Sequence, residues 1–372
     1  DFANSSPFHC AVVNNAPKSI EAFLEWGVDL NFRCHPIHKY TALALAISLK
    51  SYTMTSLLLD RGAEIEDIDY EHNDALSLAV HSTDKIRALV FEKIFTGKSA
   101  EQKKRLLNKP ILKNPLYLAL IDEKLEIAQE LIDHGADLNL FYPKGGGSNE
   151  THNILMRVAS IGAIKSVEFI LEKLCAGKSA EEKKRIVDQE NNIGGTALMY
   201  AAQAGNNDVI NILINHGSNV NHNSFGTAIL HSAIMGKHPQ TIKLLVSRGA
   251  DVNAKYGEKV SPLHIAASSM SSECISTLLD LKADINAQSY LGETPLHIAL
   301  KNKDATAMEI FLRHNARIDL PDKNNKTAID LAEEYGMTQQ FREVMKSLSG
   351  IANPSATALV QDLQKPLGQS TA

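Results

Sequence analysis

Aliphatic positions in this chain fall in short clusters at helical spacing, and the clusters come in pairs. One member of each pair is a compact apolar turn such as Leu263-His264-Ile265-Ala266-Ala267 or Leu296-His297-Ile298-Ala299-Leu300. The other is an aliphatic run: Leu57-Leu58-Leu59, Ile127 to Ile132, Val209 to Ile214, Ile242 to Val246, Ile275 to Leu279 and Met308 to Leu312. Apolar residues three and four apart line one face of an amphipathic helix, so each pair predicts two short helices. The first opens at a Thr-Pro or Ser-Pro step, where the hydroxyl can cap and proline costs no helix bond. The second stops at Gly62, Gly135, Gly217 and Gly249, as a left-handed C-cap requires. An Ala-Asp-x-Asn step follows at Ala136-Asp137-Leu138-Asn139, Ala250-Asp251-Val252-Asn253 and Ala283-Asp284-Ile285-Asn286, and fits an extended turn into the next pair.

The pairs recur at a fixed interval. Aligned on one apolar residue, the series is Phe8, Leu43, Leu76, Leu116, Leu155, Leu198, Leu230, Leu263, Leu296 and Ile329. The gaps are 35, 33, 40, 39, 43, 32, 33, 33 and 33 residues, so about ten helix-turn-helix units are expected, the regular ones at the C-terminal end. Self-similarity at this period marks a stacked-repeat architecture, in which length does not convert into a domain count.

Ser261-Pro262-Leu263-His264-Ile265-Ala266, Thr294-Pro295-Leu296-His297-Ile298-Ala299, the Gly-Ala-Asp-x-Asn endings and the 33-residue period resemble the ankyrin repeat family. The resemblance covers roughly residues 4–346 and is densest from 194 to 332. It implies an all-α solenoid with a β-turn finger and two antiparallel helices per unit. It also implies that His9, His231, His264 and His297 tie neighbouring units to loop backbone, and that the fingers and the exposed side of the first helices form a concave protein-binding face.

Three long gaps depart from the period. Residues 97–108 and 177–188 hold nearly the same sequence, Gly-Lys-Ser-Ala-Glu-(Gln/Glu)-Lys-Lys-Arg, 80 residues apart, as duplication of a two-repeat block would leave. Ser99 with Gln102 and Ser179 with Glu182 fit capping boxes, so each insert is expected to add a helix. The third gap, at 140–150, includes Gly145-Gly146-Gly147 and is expected to be an extended flexible finger. Asp330, Glu333 and Glu334 give the last unit the polar outer face of a cap. The array is therefore expected over 1–346, followed by a mobile tail at 347–372 with a short helix near 357–363.

The formal charge of −5 over 372 residues gives no reason to expect nucleic acid or an anionic membrane as partner. An aromatic fraction of 6% suits a core built from Ala, Leu, Ile and Val. The four cysteines, Cys10, Cys34, Cys175 and Cys274, match no metal spacing and fit a reducing, cytoplasmic setting. No apolar run is long enough to span a membrane. The Gly-Lys-Ser triplets at 97–99 and 177–179 lack the earlier glycine of a phosphate loop, since Glu92 and Glu172 stand there. His134, His216 and His314 follow second helices, where a positive partner suits the helix dipole. The basic triplets 103–105 and 183–185 are preceded by Glu101 and by Glu181-Glu182, as on a solvated helix face. Cys10 follows His9 directly, but adjacent helical residues point apart, so no nucleophile is paired with a base.

What remains is the face. Carried onto this chain, the resemblance selects Ile193, Phe225, Tyr256, Glu258, Tyr290 and Leu291 on the fingers, and Gln203, Met235 and Lys301 on the first helices. Three aromatics on successive fingers of an aromatic-poor chain are candidate hot spots. The expected function is a non-catalytic, monomeric scaffold that binds a protein through units 6–9, without metal or cofactor. Irregular arrays of this kind also look like effectors that intracellular bacteria inject into host cells, which would make the partner a host protein and the site the host cytosol. The chain opens at Asp1 rather than Met, which fits the alternative of a targeting module whose enzymatic domain lies outside it.

Overall fold

A computed structural model describes residues 6–33, 40–66, 74–108, 114–145, 148–224, 227–255, 257 and 259–349. The chain forms two compact bodies. One runs to Val158 and takes in Lys165–Ile170; the other holds Ala159–Ile164 and continues from Leu171. Twenty-two helices lie among the described residues, as ten pairs and two single helices, Ala100–Leu107 and Ala180–Val187.

The first helix of a pair is seven residues or so long and buries most of its residues, because alanines leave room for close packing. Leu43, Ala44, Ala46 and Ile47 in one repeat, and Leu296, Ala299 and Leu300 in another, are all within 1% of full burial. Their N-termini are capped as the Thr/Ser pattern predicts: Thr41 accepts from Ala44 N–H at 3.2 Å. Where the pattern lapses, Asp74 and Asn114 do the same for Ser77 and Tyr117 at 2.7 and 2.9 Å. At two repeats that lack the helix-ending glycine, Lys282 (φ 68°) and Asn315 (φ 61°) take up the left-handed conformation instead.

Two sets of hydrogen bonds join successive repeats. The first uses the histidines. Ser261 N–H donates to His264 Nδ1 at 3.1 Å, so the proton sits on Nε2, which donates to the Glu293 carbonyl of the next repeat at 2.8 Å. His297 repeats this with Thr294 N–H and the Lys326 carbonyl, both at 3.2 Å, and His9 reaches the Tyr40 carbonyl at 2.9 Å. Burial holds the pKa of each below that of free histidine, and that of the buried His231 at about 4.

The second set is built by the Ala-Asp-x-Asn steps and is not evident from their turn chemistry alone. The Asp side chain accepts the N–H two residues on, as in Asp251 to Asn253 at 2.9 Å and Asp284 to Asn286 at 3.0 Å. The Asn side chain then accepts an N–H one repeat further along. Asn31 receives Glu64, Asn221 receives Asp251, Asn253 receives Asp284 and Asn286 receives Arg317, at 2.8 to 2.9 Å.

The two single helices are inserted into this ladder without interrupting it. Each opens on a reciprocal capping box, Ser99 with Gln102 and Ser179 with Glu182. Each ends on a side chain that takes the ladder position. Asn108 Oδ1 accepts from Asp137 N–H at 2.9 Å, and Asp188 Oδ1 accepts from Asn219 N–H at 3.0 Å.

The segment expected to be a flexible finger at 140–150 contains an antiparallel hairpin, Phe141–Gly145 against Ser148–Asn153. Its base is fixed by Tyr142, which is buried and accepts from Asn114 Nδ2 at 2.8 Å, and by the buried His152 paired with the part-buried Glu150 at 2.7 Å. The last helix, Thr338–Ser349, runs past the expected array boundary at 346. The rest of the expected tail and its helix near 357–363 lie outside the described residues.

Candidate functional site

Three fingers of the second body share one turn. In 191–195, Asn191 Oδ1 accepts the N–H groups of Ile193 and Gly195 at 3.1 and 2.7 Å. In 322–326, Asp322 Oδ1 accepts those of Asn324 and Lys326 at 2.8 and 3.0 Å. In 289–293, Ser289 Oγ accepts from Leu291 N–H at 3.2 Å, and Ser289 N–H donates to the Glu293 carbonyl at 2.9 Å. With its backbone groups satisfied internally, each turn presents its tip outward. Ile193, Tyr290 and Leu291 are 53%, 57% and 47% exposed.

The fingers at 289–293 and 322–326 also bind each other. Lys323 N–H donates to the Leu291 carbonyl at 2.9 Å, and Gln288 Nε2 bridges the Gly292 and Pro321 carbonyls at 2.9 and 3.1 Å. A Cβ on Gly292, which has φ 72°, would lie 3.1 Å from Asp322 Cα, so this approach depends on glycine. Lys323 Nζ stands over the Tyr290 ring, 3.3 Å from its centre. Tyr290 therefore does pack against the neighbouring finger, yet keeps more than half its surface open.

The exposed row of the first helices continues this surface. Gln203 and Ser268 are exposed, and Met235 is 61% exposed with its Sδ 3.9 Å from Ser269 Oγ of the next repeat. Two ion pairs tie finger to helix row within a repeat: Glu293 with Lys301, and Lys326 with Glu334 at 2.7 Å. Lys301 is half-buried, which alone would lower its pKa, but the Glu293 carboxylate holds it above the usual lysine range. Of the nine selected residues, the structure thus places Ile193, Tyr290, Leu291, Gln203, Met235 and Lys301 in the second body, with Lys301 already neutralised. Phe225, Tyr256 and Glu258 lie outside the described residues. Sequence reasoning passed over Met270, 55% exposed in a helix–helix turn at φ 49°. A methionine where neighbouring repeats have Lys237 and Lys303 was its only signal.

Elsewhere the titratable groups serve the fold. Both ring nitrogens of His9 are engaged, Nδ1 by Ser6 Oγ at 2.8 Å and Nε2 by the Tyr40 carbonyl, so the ring does not serve as a base toward Cys10. Burial raises the thiol pKa of Cys175 and Cys274, away from a nucleophilic thiolate. His216 and His314 turn Nδ1–H onto the last-turn carbonyls of Ile212 and Ile310, both at 2.8 Å. His134 instead stacks on Phe95, ring centres 4.4 Å apart. Among the described residues no three His, Cys, Asp or Glu gather as metal ligands, and no helix is long and apolar enough to cross a membrane.

The chain is similar to known proteins over several repeats at a time. It is 36% identical to human BCL-6 corepressor-like protein 1 over 104 residues, which is 28% of this chain and 5% of that protein. It is 27% identical to the chicken nuclear factor NF-kappa-B p105 subunit over 160 residues, 42% of this chain and 15% of that one. Human inversin is 26% identical over 213 residues, 55% and 17% of the two chains. The chain thus spans less than a fifth of the length of each of these relatives. The solved human ASB11 ankyrin repeat domain matches the fold with a TM-score of 0.52 at 20% identity, over 62% of this chain and 97% of that one. The ankyrin-repeat family model matches residues 155–256 and 263–356, more than half of the sequence. The chain belongs to the ankyrin-repeat family, and its fold is the all-α fold of that family.

Proposed function

We propose that this chain is a non-catalytic recognition scaffold that binds a protein through the fingers and first-helix row of repeats 6–9. The observation that carries this reading is the company kept by Ile193, Met235, Tyr290 and Leu291. Each is about half exposed or more, and each sits on a backbone held by internal turn bonds or by buried helix packing. Large apolar side chains displayed on a rigid support cost little entropy to bind with, and aromatic anchors concentrate binding energy. An interface of ordinary size, about 800 Å² per partner, covers several adjacent fingers. The scaffold acts as a monomer in the cytosol; in a secreted bacterial effector this would be the host cytosol.

A second reading is favoured by the small share of each relative that the chain spans. There the array is a targeting module that places an activity carried elsewhere in a longer protein. Both readings use the same face.

The test is affinity capture with the full chain against Ile193→Asp, Met235→Asp and Leu291→Asp combined. The expected outcome is loss of the captured partner with unchanged helical circular dichroism and melting. Capture that survives the triple variant would show the face to be elsewhere.

A further inference from the structure

The charges on this face are not balanced in the way that the whole chain is. Among the described residues, four of its acids are already engaged. Glu293 holds Lys301, and Glu190 meets His222 Nε2 at 2.8 Å. Asp322 is buried in its turn and accepts two backbone N–H groups, which lower its carboxyl pKa against the opposing effect of burial. Glu334 meets Lys326 at 2.7 Å. The finger lysines differ. Lys255, Lys259 and Lys323 are exposed, and none makes an ion pair with a described residue. Glu258, on the same finger as Lys255 and Lys259, is outside the described residues.

Lys323 is held in a particular way. Its backbone N–H is fixed to Leu291, and its ammonium rests on one face of Tyr290. The ring attracts the cation without neutralising it, so its N–H donors still need a counter-charge. Beside it stand the open part of Tyr290 and the half-exposed Leu291. An apolar anchor and a carboxylate meet complementary groups within one finger pair.

Building on the proposed binding face, we propose that its occupant is an acidic protein segment that sets a carboxylate beside an aromatic or aliphatic anchor. The carboxylate pairs with Lys323, the anchor covers Tyr290 and Leu291, and further acids along the segment meet Lys255 and Lys259. Basic segments are repelled, and a polyanion without anchors gains only the lysines.

The experiment selects a phage-displayed random-peptide library on the full chain and measures converged peptides by fluorescence anisotropy. Expected are clones with Asp or Glu next to Phe, Tyr, Leu or Ile. Their affinity should fall about tenfold in the Lys255→Gln/Lys259→Gln/Lys323→Gln variant, the scale of one close charge pair. It should fall with added salt, and stay unchanged in Lys243→Gln on an outer helix. Clones that are neutral or basic yet lose binding in Leu291→Asp would overturn this inference and leave the face standing. Clones indifferent to both Ile193→Asp and Leu291→Asp would overturn the face as well. A failure of any peptide to enrich, or tighter binding of a short single-stranded DNA through the same lysines, also overturns the acidic-segment inference.

Discussion

Repeats 6 to 8 and repeats 3 and 5 solve the same joining problem with different amounts of chain. In the regular repeats the second helix stops and Asn221, Asn253 or Asn286 sits a few residues later, ready to accept the next repeat's N–H. In the irregular ones a complete capped helix intervenes, and its C-cap residue, Asn108 or Asp188, accepts the same bond. The difference teaches which part of a repeat is structural. The acceptor position is kept by both; the helix between is an addition hung from it. The lone basic helices, which bury Leu106, Leu107 and Val187, extend the joint without replacing it, and the regular repeats, which expose Ile193, Tyr290 and Leu291, are the place to seek a binding surface.

The sharpest break between the regions should come with acid. His231, His264 and His297, all in regular repeats, are neutral in the fold, and burial depresses their pKa values below that of the unfolded chain. Their contribution is complete above pH 6.5 and is lost as pH falls, because the unfolded chain takes up protons that the folded chain refuses. For His231, with a folded value of about 4, the loss reaches about 3 kcal/mol by pH 4. Urea titrations at stepped pH should show the second body weakening first; a flat profile between pH 7 and 4 would refute the burial of neutral histidines in these repeats.

Next in size is Gly236→Ala. A Cβ there would lie 2.0 Å from the Gln203 backbone oxygen, an overlap that only backbone movement relieves. Destabilisation of about 2 kcal/mol is expected from overpacking of this kind, read as a lower urea midpoint for the second body. A smaller effect compares the two ways of joining. Asn253→Ala and Asp188→Ala each strip one acceptor from a backbone N–H of the next repeat, and should cost similar amounts, about 1–2 kcal/mol. A silent Asp188→Ala beside a costly Asn253→Ala would break the equivalence drawn above. Smallest is Ser179→Ala, which removes a helix cap worth about 1 kcal/mol. Hydrogen exchange should rise in Ala180–Val187 while the ladder at Asn219 stays protected.

Much of the fold was legible because the period of 33 residues and the Thr-Pro-Leu-His steps repeat with little variation. The capping boxes of the inserts were legible too, since Ser99 and Gln102 are close in sequence and need no tertiary context. Three things were not. The Asn ladder joins residues about a repeat apart, so in sequence its Asn looks like any turn residue. The hairpin at Phe141–Gly145 and Ser148–Asn153 was hidden by its glycine run, while what secures it is the distant Asn114. At the face, exposure of the finger tips followed from the repeat pattern. The neutralisation of Lys301 by Glu293 and the seat of Lys323 on Tyr290 depend on how fingers fold over helices and over each other.

The central claim is that a partner lies on the fingers of the regular repeats and not on the outer helices. A photo-crosslinking side chain placed at position 291 or at position 243, in otherwise unchanged full-length chain, tests it directly. Position 291 should yield one discrete adduct in cell lysate, abolished by Ile193→Asp with Met235→Asp, and position 243 none. A discrete adduct from 243 with none from 291 would contradict the account.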